Sequence, residues 1–123
     1  MSFLFSNNSS LENIDLSNFD TSKVTSMQQM FANMVQLKKL DLSSFDTLKV
    51  TNMSWMFSND SNLETIIVSD NFQTEQVEQS GYMFSNNIKL VGGNGTLYNE
   101  NYQDKTYARI DAPVTLGYFT RIS

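Results

Sequence analysis

The sequence predicts an α/β fold: a right-handed solenoid of about four coils of 26 residues with a C-terminal β-type cap. Two observations carry this prediction. The stretch LDLSSFDTLKVTNMSWMF, which begins at Leu40, nearly repeats IDLSNFDTSKVTSMQQMF, which begins at Ile14. Each unit also holds two apolar periodicities, one typical of a strand and one typical of a short helix.

The units align on a phenylalanine that recurs with spacings of 26, 26 and 27 residues, and a leucine follows each phenylalanine six positions later. One coil cannot bury its apolar side alone, so stacking should turn these positions into a continuous core. This predicted core ladder comprises Phe5, Phe31, Phe57, Phe84, Leu11, Leu37, Leu63 and Leu90. Because a fully buried Phe contributes up to about 3 kcal/mol, Phe31→Ala or Phe57→Ala is expected to unfold a marginal domain.

Two segments of each unit predict its elements. In LKKLDLS the apolar residues at positions 4 and 6 share one face of a strand. In VTNMSWMF the apolar residues at positions 1, 4, 7 and 8 fit one side of a short helix or 3₁₀ turn. The alternative is an all-β solenoid, in which VTNMSWMF is extended or irregular.

The chain is predicted to be one structural domain in two parts. Residues 1–93 form the recurring units, and residues 94–123 form a capping segment with its own aromatics and the strand-like stretch TYARI. Such an atypical terminal unit is expected to cover the last open edge. The first unit has no comparable cover, so Phe3 and Leu4 are predicted to form an edge for self-association.

Composition excludes several classes of function. The chain of 123 residues contains no Cys and no His, which removes the usual zinc sites, cysteine nucleophiles and imidazole-dependent triads. A formal net charge of −5 does not suit nucleic acid. No run approaches 18 apolar residues, and no signal peptide or anchor is recognisable in this piece. We therefore expect no cofactor, no metal, no membrane insertion and no enzymatic activity.

The outward positions of the strands provide a candidate binding face. Adjacent strands would hold Asp15 and Asp41 about 5 Å apart, a spacing that retaining glycosidases use, but on an exposed face rather than in a cleft. Trp55 interrupts the recurrence beside polar neighbours and shares its position with Tyr82, so this pair is an alternative anchor for protein or carbohydrate. The candidate face comprises Glu12, Asp15, Lys38, Lys39, Asp41, Glu64, Ile67, Trp55 and Tyr82.

The recurring motif LDLSSFDTLKVTNMSWMF resembles the leucine-rich repeat of BspA-like bacterial surface proteins, which also occurs in Mycoplasma-type lipoproteins. The tail VGGNGTLYN…YARID…GYFT resembles the segment that closes such arrays. The resemblance implies a leucine-rich-repeat-like fold displayed on bacterial cells as part of a longer protein. It implies adhesion to host or cell-surface proteins and carries over no catalytic residues.

Two functions are therefore expected as alternatives. The first is a non-enzymatic adhesion module at the end of a surface array, binding a host-matrix protein, another surface protein or a glycan. The second is a structural spacer, or a self-associating unit that builds fibres or cell–cell contacts through its first coil.

Overall fold

A computed structural model describes residues 1–122 of the chain. Its regular elements are the strands β1 (Lys39–Leu42), β2 (Thr65–Val68) and β3 (Phe119–Arg121) and one 3₁₀ helix, Lys105–Tyr107. The strands form a single parallel sheet in the order β1-β2-β3. Turns and irregular backbone make up the rest of the described chain.

The sheet is in register with the recurrence in the sequence. In the β1–β2 pair, Leu40 lies opposite Ile66 and Leu42 lies opposite Val68. These apolar side chains are buried, whereas Lys39 and Asp41 between and beside them are exposed. A shift of one residue would exchange the two sets, so burial of the leucines fixes the register.

The predicted α/β solenoid is wrong. Residues 1–122 contain no α-helix, and their strands are confined to β1, β2 and β3. The all-β alternative shares the absence of helix in VTNMSWMF with the structure, but not an extensive sheet.

The main-chain hydrogen bonds explain why VTNMSWMF is not helical. Alternate N–H groups in this stretch donate to carbonyls 26 residues ahead, at 2.8 to 3.0 Å; the donors are Met53, Trp55, Phe57 and Asn59. The N–H of Met56 closes a tight turn onto the carbonyl of Met53 at 3.2 Å. Trp55 and Asn59 have φ values of 61° and 64°, which no right-handed helix contains. The apolar spacing therefore reflects successive turns, because the groups that would make helical bonds pair with the next segment instead.

A row of parallel phenylalanine rings forms the centre of the core. Phe57 stacks on Phe31 at 5.9 Å and on Phe84 at 5.5 Å, and Phe5 stacks on Phe31 at 5.6 Å. Phe31, Phe57 and Phe84 are fully buried, and Phe5 at the end of the row is half-buried. In the leucine positions Leu37, Leu63 and Leu90 are buried, and Leu11 is half-buried.

The C-terminal residues complete both the sheet and the core. β3 pairs with β2, and its first residue, Phe119, packs edge-on against Phe72 at 4.9 Å. Tyr118 packs edge-on against Phe84 at 5.0 Å. The N–H of Phe84 donates to the carbonyl of Gln103 at 2.9 Å, so the tail also accepts a hydrogen bond from the last recurring segment.

Candidate binding surfaces

The strand positions of the candidate face form one surface, here called the strand surface: Glu12, Asp15, Lys38, Lys39, Asp41, Glu64 and Ile67. All are exposed except Ile67, which is half-buried. Lys39, Asp41 and Ile67 belong to β1 and β2, and the others lie on the segments beside those strands. Their positions are rigid because the buried side chains between them anchor the strands in the core.

The strand surface contains two shallow depressions. Glu12, Lys38 and Lys39 line one of about 310 Å³. Asp15 and Asp41 line another of about 220 Å³. Within residues 1–122 the ion pair joins Arg121 to Asp70 at 2.8 Å, so the charges of the strand surface remain available to a partner.

The Asp15 carboxylate is engaged in its own turn. Its Oδ1 accepts hydrogen bonds from the N–H and the hydroxyl of Ser17, at 3.0 and 2.7 Å. The hydroxyl bond and then the N–H bond hold its pKa below the ordinary value. Asp41 Oδ1 likewise accepts from the N–H of Ser43 at 2.9 Å. A glycosidase needs one carboxyl with a raised pKa as its acid, and Asp15 is shifted in the opposite direction.

Trp55 and Tyr82 form a separate surface, here called the aromatic pair. Their rings stack with centroids 4.6 Å apart, while 38% of Trp55 and 56% of Tyr82 remain exposed. They lie on turns next to the bridges that join Ser26, Asn52 and Gln79, not on the strands. The structure thus divides the face predicted from the sequence into two surfaces.

Two sets of equivalent positions adopt left-handed backbone. One set contains only asparagine, and the other, four residues earlier in each segment, contains Phe3, Gln29, Trp55 and Tyr82. The asparagines form a chain of side-chain hydrogen bonds of 2.8, 2.9 and 2.7 Å that joins Asn7, Asn33, Asn59 and Asn86. Asparagine tolerates this backbone, whereas a bulky aromatic is an outlier there.

The predicted self-association edge is exposed. Phe3 and Leu4 have half of their surface accessible, 50% and 49%. The main chain of this edge bonds to the following segment through the N–H of Phe3 and the carbonyl of Gln28, at 2.9 Å.

Sequence reasoning missed a buried polar cluster around Asp60. Asp60 is fully buried; its Oδ1 accepts the N–H of Met34 at 2.8 Å, and its Oδ2 has no partner. The neighbouring Asn87 donates to the carbonyl of Phe57 at 2.7 Å, but its own oxygen is unpaired. Burial raises the pKa of Asp60 to about 9. The available signal was the replacement of the Met34 side chain by Asp60 exactly one 26-residue spacing later.

Asp111 organises the turns of the C-terminal segment. It is 8% exposed and accepts hydrogen bonds from the Thr96 hydroxyl at 2.6 Å and from the N–H groups of Asn94 and Gly117. Burial alone would raise its pKa, but the bonds from Thr96, Gly117 and Asn94 outweigh burial and lower it. Asp111 therefore has a structural role in joining these turns.

Within the described part of the chain, no cluster of three or more acidic, His or Cys side chains is arranged to hold a metal. No helix among residues 1–122 is long and apolar enough to cross a membrane.

The fold and these surfaces define a protein scaffold in which successive segments are hydrogen-bonded side by side and present fixed rows of side chains. The chain belongs to the family described as "Mycoplasma protein of unknown function, DUF285", whose model matches residues 1–108. No curated protein and no solved structure matches the chain. The finer relationship to BspA-like proteins stays a prediction.

Proposed function

We propose that this chain is a non-enzymatic adhesion module, displayed at the cell surface as part of a longer BspA-like protein. The observation that carries the proposal is the strand surface. Lys39 and Asp41 project from β1 while Leu40 and Leu42 lock the same strand into the core. Rigid presentation lowers the entropic cost of binding, because these side chains are already positioned.

The partner best suited to the strand surface is a protein with charges of both signs. Two exposed lysines stand beside the acidic residues Glu12, Asp41 and Glu64. Charge complementarity of this kind steers association and selects partners. Host-matrix proteins and proteins of other cell surfaces are the classes suggested by the BspA-like resemblance.

Binding to immobilised extracellular-matrix proteins tests the proposal. The triple variant Lys38→Glu, Lys39→Glu, Asp41→Lys should weaken binding about tenfold or more, measured by surface plasmon resonance. The matched control is Lys23→Glu with Lys49→Glu, two exposed lysines outside the strand surface, which should change binding less than twofold. Equal binding by the triple variant and the wild type would reject the strand surface as the contact face.

Self-association is the second candidate, and the exposed Phe3 and Leu4 favour it. Exposed apolar side chains beside a main-chain edge are a template for pairing with another chain. Light scattering over a concentration series should then show dimers or larger species, which Phe3→Ser with Leu4→Ser removes. A wild-type protein that stays monomeric at high concentration contradicts this candidate.

A further inference from the structure

We propose that the aromatic pair is a binding site for a neutral oligosaccharide, on a surface separate from the strand surface. The site is centred on Trp55 and Tyr82. The amide and hydroxyl side chains of the three neighbouring segments, 26–37, 51–59 and 79–88, border it.

The backbone at this site is strained without a packing reason. Trp55 and Tyr82 adopt φ values of 61° and 56°, and their side chains remain largely outside the core. The equivalent positions four residues later show that asparagine satisfies such a backbone. Left-handed backbone in a bulky residue costs of order 1–3 kcal/mol and is concentrated at functional sites. The retained aromatics are therefore explained by what they present to solvent.

The charge distribution selects the chemistry of the ligand. The three segments that border the pair contain no Asp, Glu, Lys or Arg. Lys105, which contacts Ser80 through its N–H, donates its ammonium group to the carbonyl of Val77. A charged ligand would find no counter-charge in these segments, so a neutral ligand is favoured.

The hydrogen-bonding groups match a polyhydroxylated molecule. Gln28, Gln29 and Gln79 have at least partly exposed carboxamides, which make no hydrogen bond within residues 1–122. The indole N–H of Trp55 and the hydroxyl of Tyr82 are likewise unengaged within these residues and are exposed. Amides both donate and accept, as sugar hydroxyls do, and an aromatic pair offers apolar surface to the C–H groups of a sugar ring.

Affinity electrophoresis through gels that contain a neutral β-glucan, an α-glucan or a galactomannan tests this inference. At least one polysaccharide should retard the wild-type protein. It should also protect Trp55 from acrylamide quenching, a direct readout because Trp55 is the single tryptophan of the chain. A sulfated polysaccharide and a proline-rich peptide serve as probes of the other ligand chemistries.

Trp55→Gln and Tyr82→Gln should each weaken binding about tenfold or more, at unchanged unfolding midpoints. Gln is the matched replacement because Gln29 already occupies the equivalent position with φ 54°. Tyr102→Gln is the control, since Tyr102 belongs to a different stacked pair, with Tyr107 at 4.3 Å, and should bind as the wild type does.

Three results would overturn the inference: no neutral polysaccharide is bound, binding leaves Trp55 fully accessible to acrylamide, or only the sulfated polysaccharide or the peptide is bound at Trp55. The quenching experiment on the wild type needs no variant, so a misfolded Trp55→Gln protein does not leave the inference untested. The strand-surface variant should bind the polysaccharide normally, so this inference and the proposed adhesion to protein succeed or fail separately.

Discussion

At the scale of single residues, left-handed backbone positions and buried polar groups set the local constraints. Asn59 illustrates the first, because it satisfies a φ of 64° and also links Asn33 to Asn86 through its side chain. Asp60 illustrates the second, because its fully buried carboxyl has one oxygen without a partner. The asparagine positions were visible in the sequence, whereas the burial of Asp60 was not.

Asp60 should make the stability of the protein fall as the pH rises. Its pKa is about 9 in the folded state and near 3.8 in the unfolded chain, so folding favours the protonated form. Its contribution is therefore complete below pH 3.8 and is lost progressively toward pH 9. Asp60→Asn should be more stable than the wild type at pH 9, with a smaller difference at pH 4, in urea unfolding experiments.

Asp15→Asn is the control for this pH dependence. Asp15 is exposed, and hydrogen bonds from the Ser17 hydroxyl and N–H lower its pKa. Its contribution has the opposite sign: it is present above the unfolded pKa and is lost as the pH falls through the folded pKa. A wild-type stability that is no lower at pH 9 than in Asp60→Asn would show that Asp60 is not held protonated.

At the scale of elements, the row of stacked phenylalanines and the parallel sheet stabilise each other. The rings of Phe57 and Phe119 meet edge-on at 6.4 Å, which joins the row to β3. The recurrence in the sequence was sufficient to predict which positions align at 26-residue spacing. It was insufficient to predict helix or turn, because an apolar residue every third or fourth position suits both.

Phe57→Ala should destabilise the protein by about 3–5 kcal/mol, because the ring is fully buried between Phe31 and Phe84. That loss is comparable with the whole stability of a small domain. Phe5→Ala is the matched control: Phe5 is half-buried and stacks on Phe31 alone within the row, so about 1–2 kcal/mol is expected. Guanidinium unfolding measures both, and equal losses would show that position in the row does not matter.

At the scale of the whole molecule, the C-terminal residues join parts of the chain that are distant in sequence. The buried hydroxyl of Tyr118 bonds to the carbonyls of Asn99 and Tyr102, each at 3.0 Å, and burial raises its pKa to about 12. Arg121, in β3, pairs with Asp70. The family model ends at residue 108, yet β3 lies beyond that point and completes the sheet.

Truncation after Ala108 should therefore abolish cooperative thermal unfolding or lower its midpoint strongly. The deletion removes β3 and exposes Phe72 and Phe84, which pack against Phe119 and Tyr118. Val114→Ser, at a side chain that is 96% exposed, should leave the midpoint unchanged. If the truncated chain unfolds at the wild-type midpoint, the C-terminal residues are dispensable for the fold.

The sequence by itself determined the 26-residue alignment, the apolar positions that share a core and the absence of Cys and His chemistry. These depend on residue identity and spacing alone. Only the tertiary structure decided that VTNMSWMF is a series of turns, since its N–H groups pair with a segment 26 residues away. It also decided that Trp55 stands apart from the strand surface and that Asp60 is buried. Each of these outcomes depends on which groups the neighbouring segments place opposite, and no local pattern specifies that.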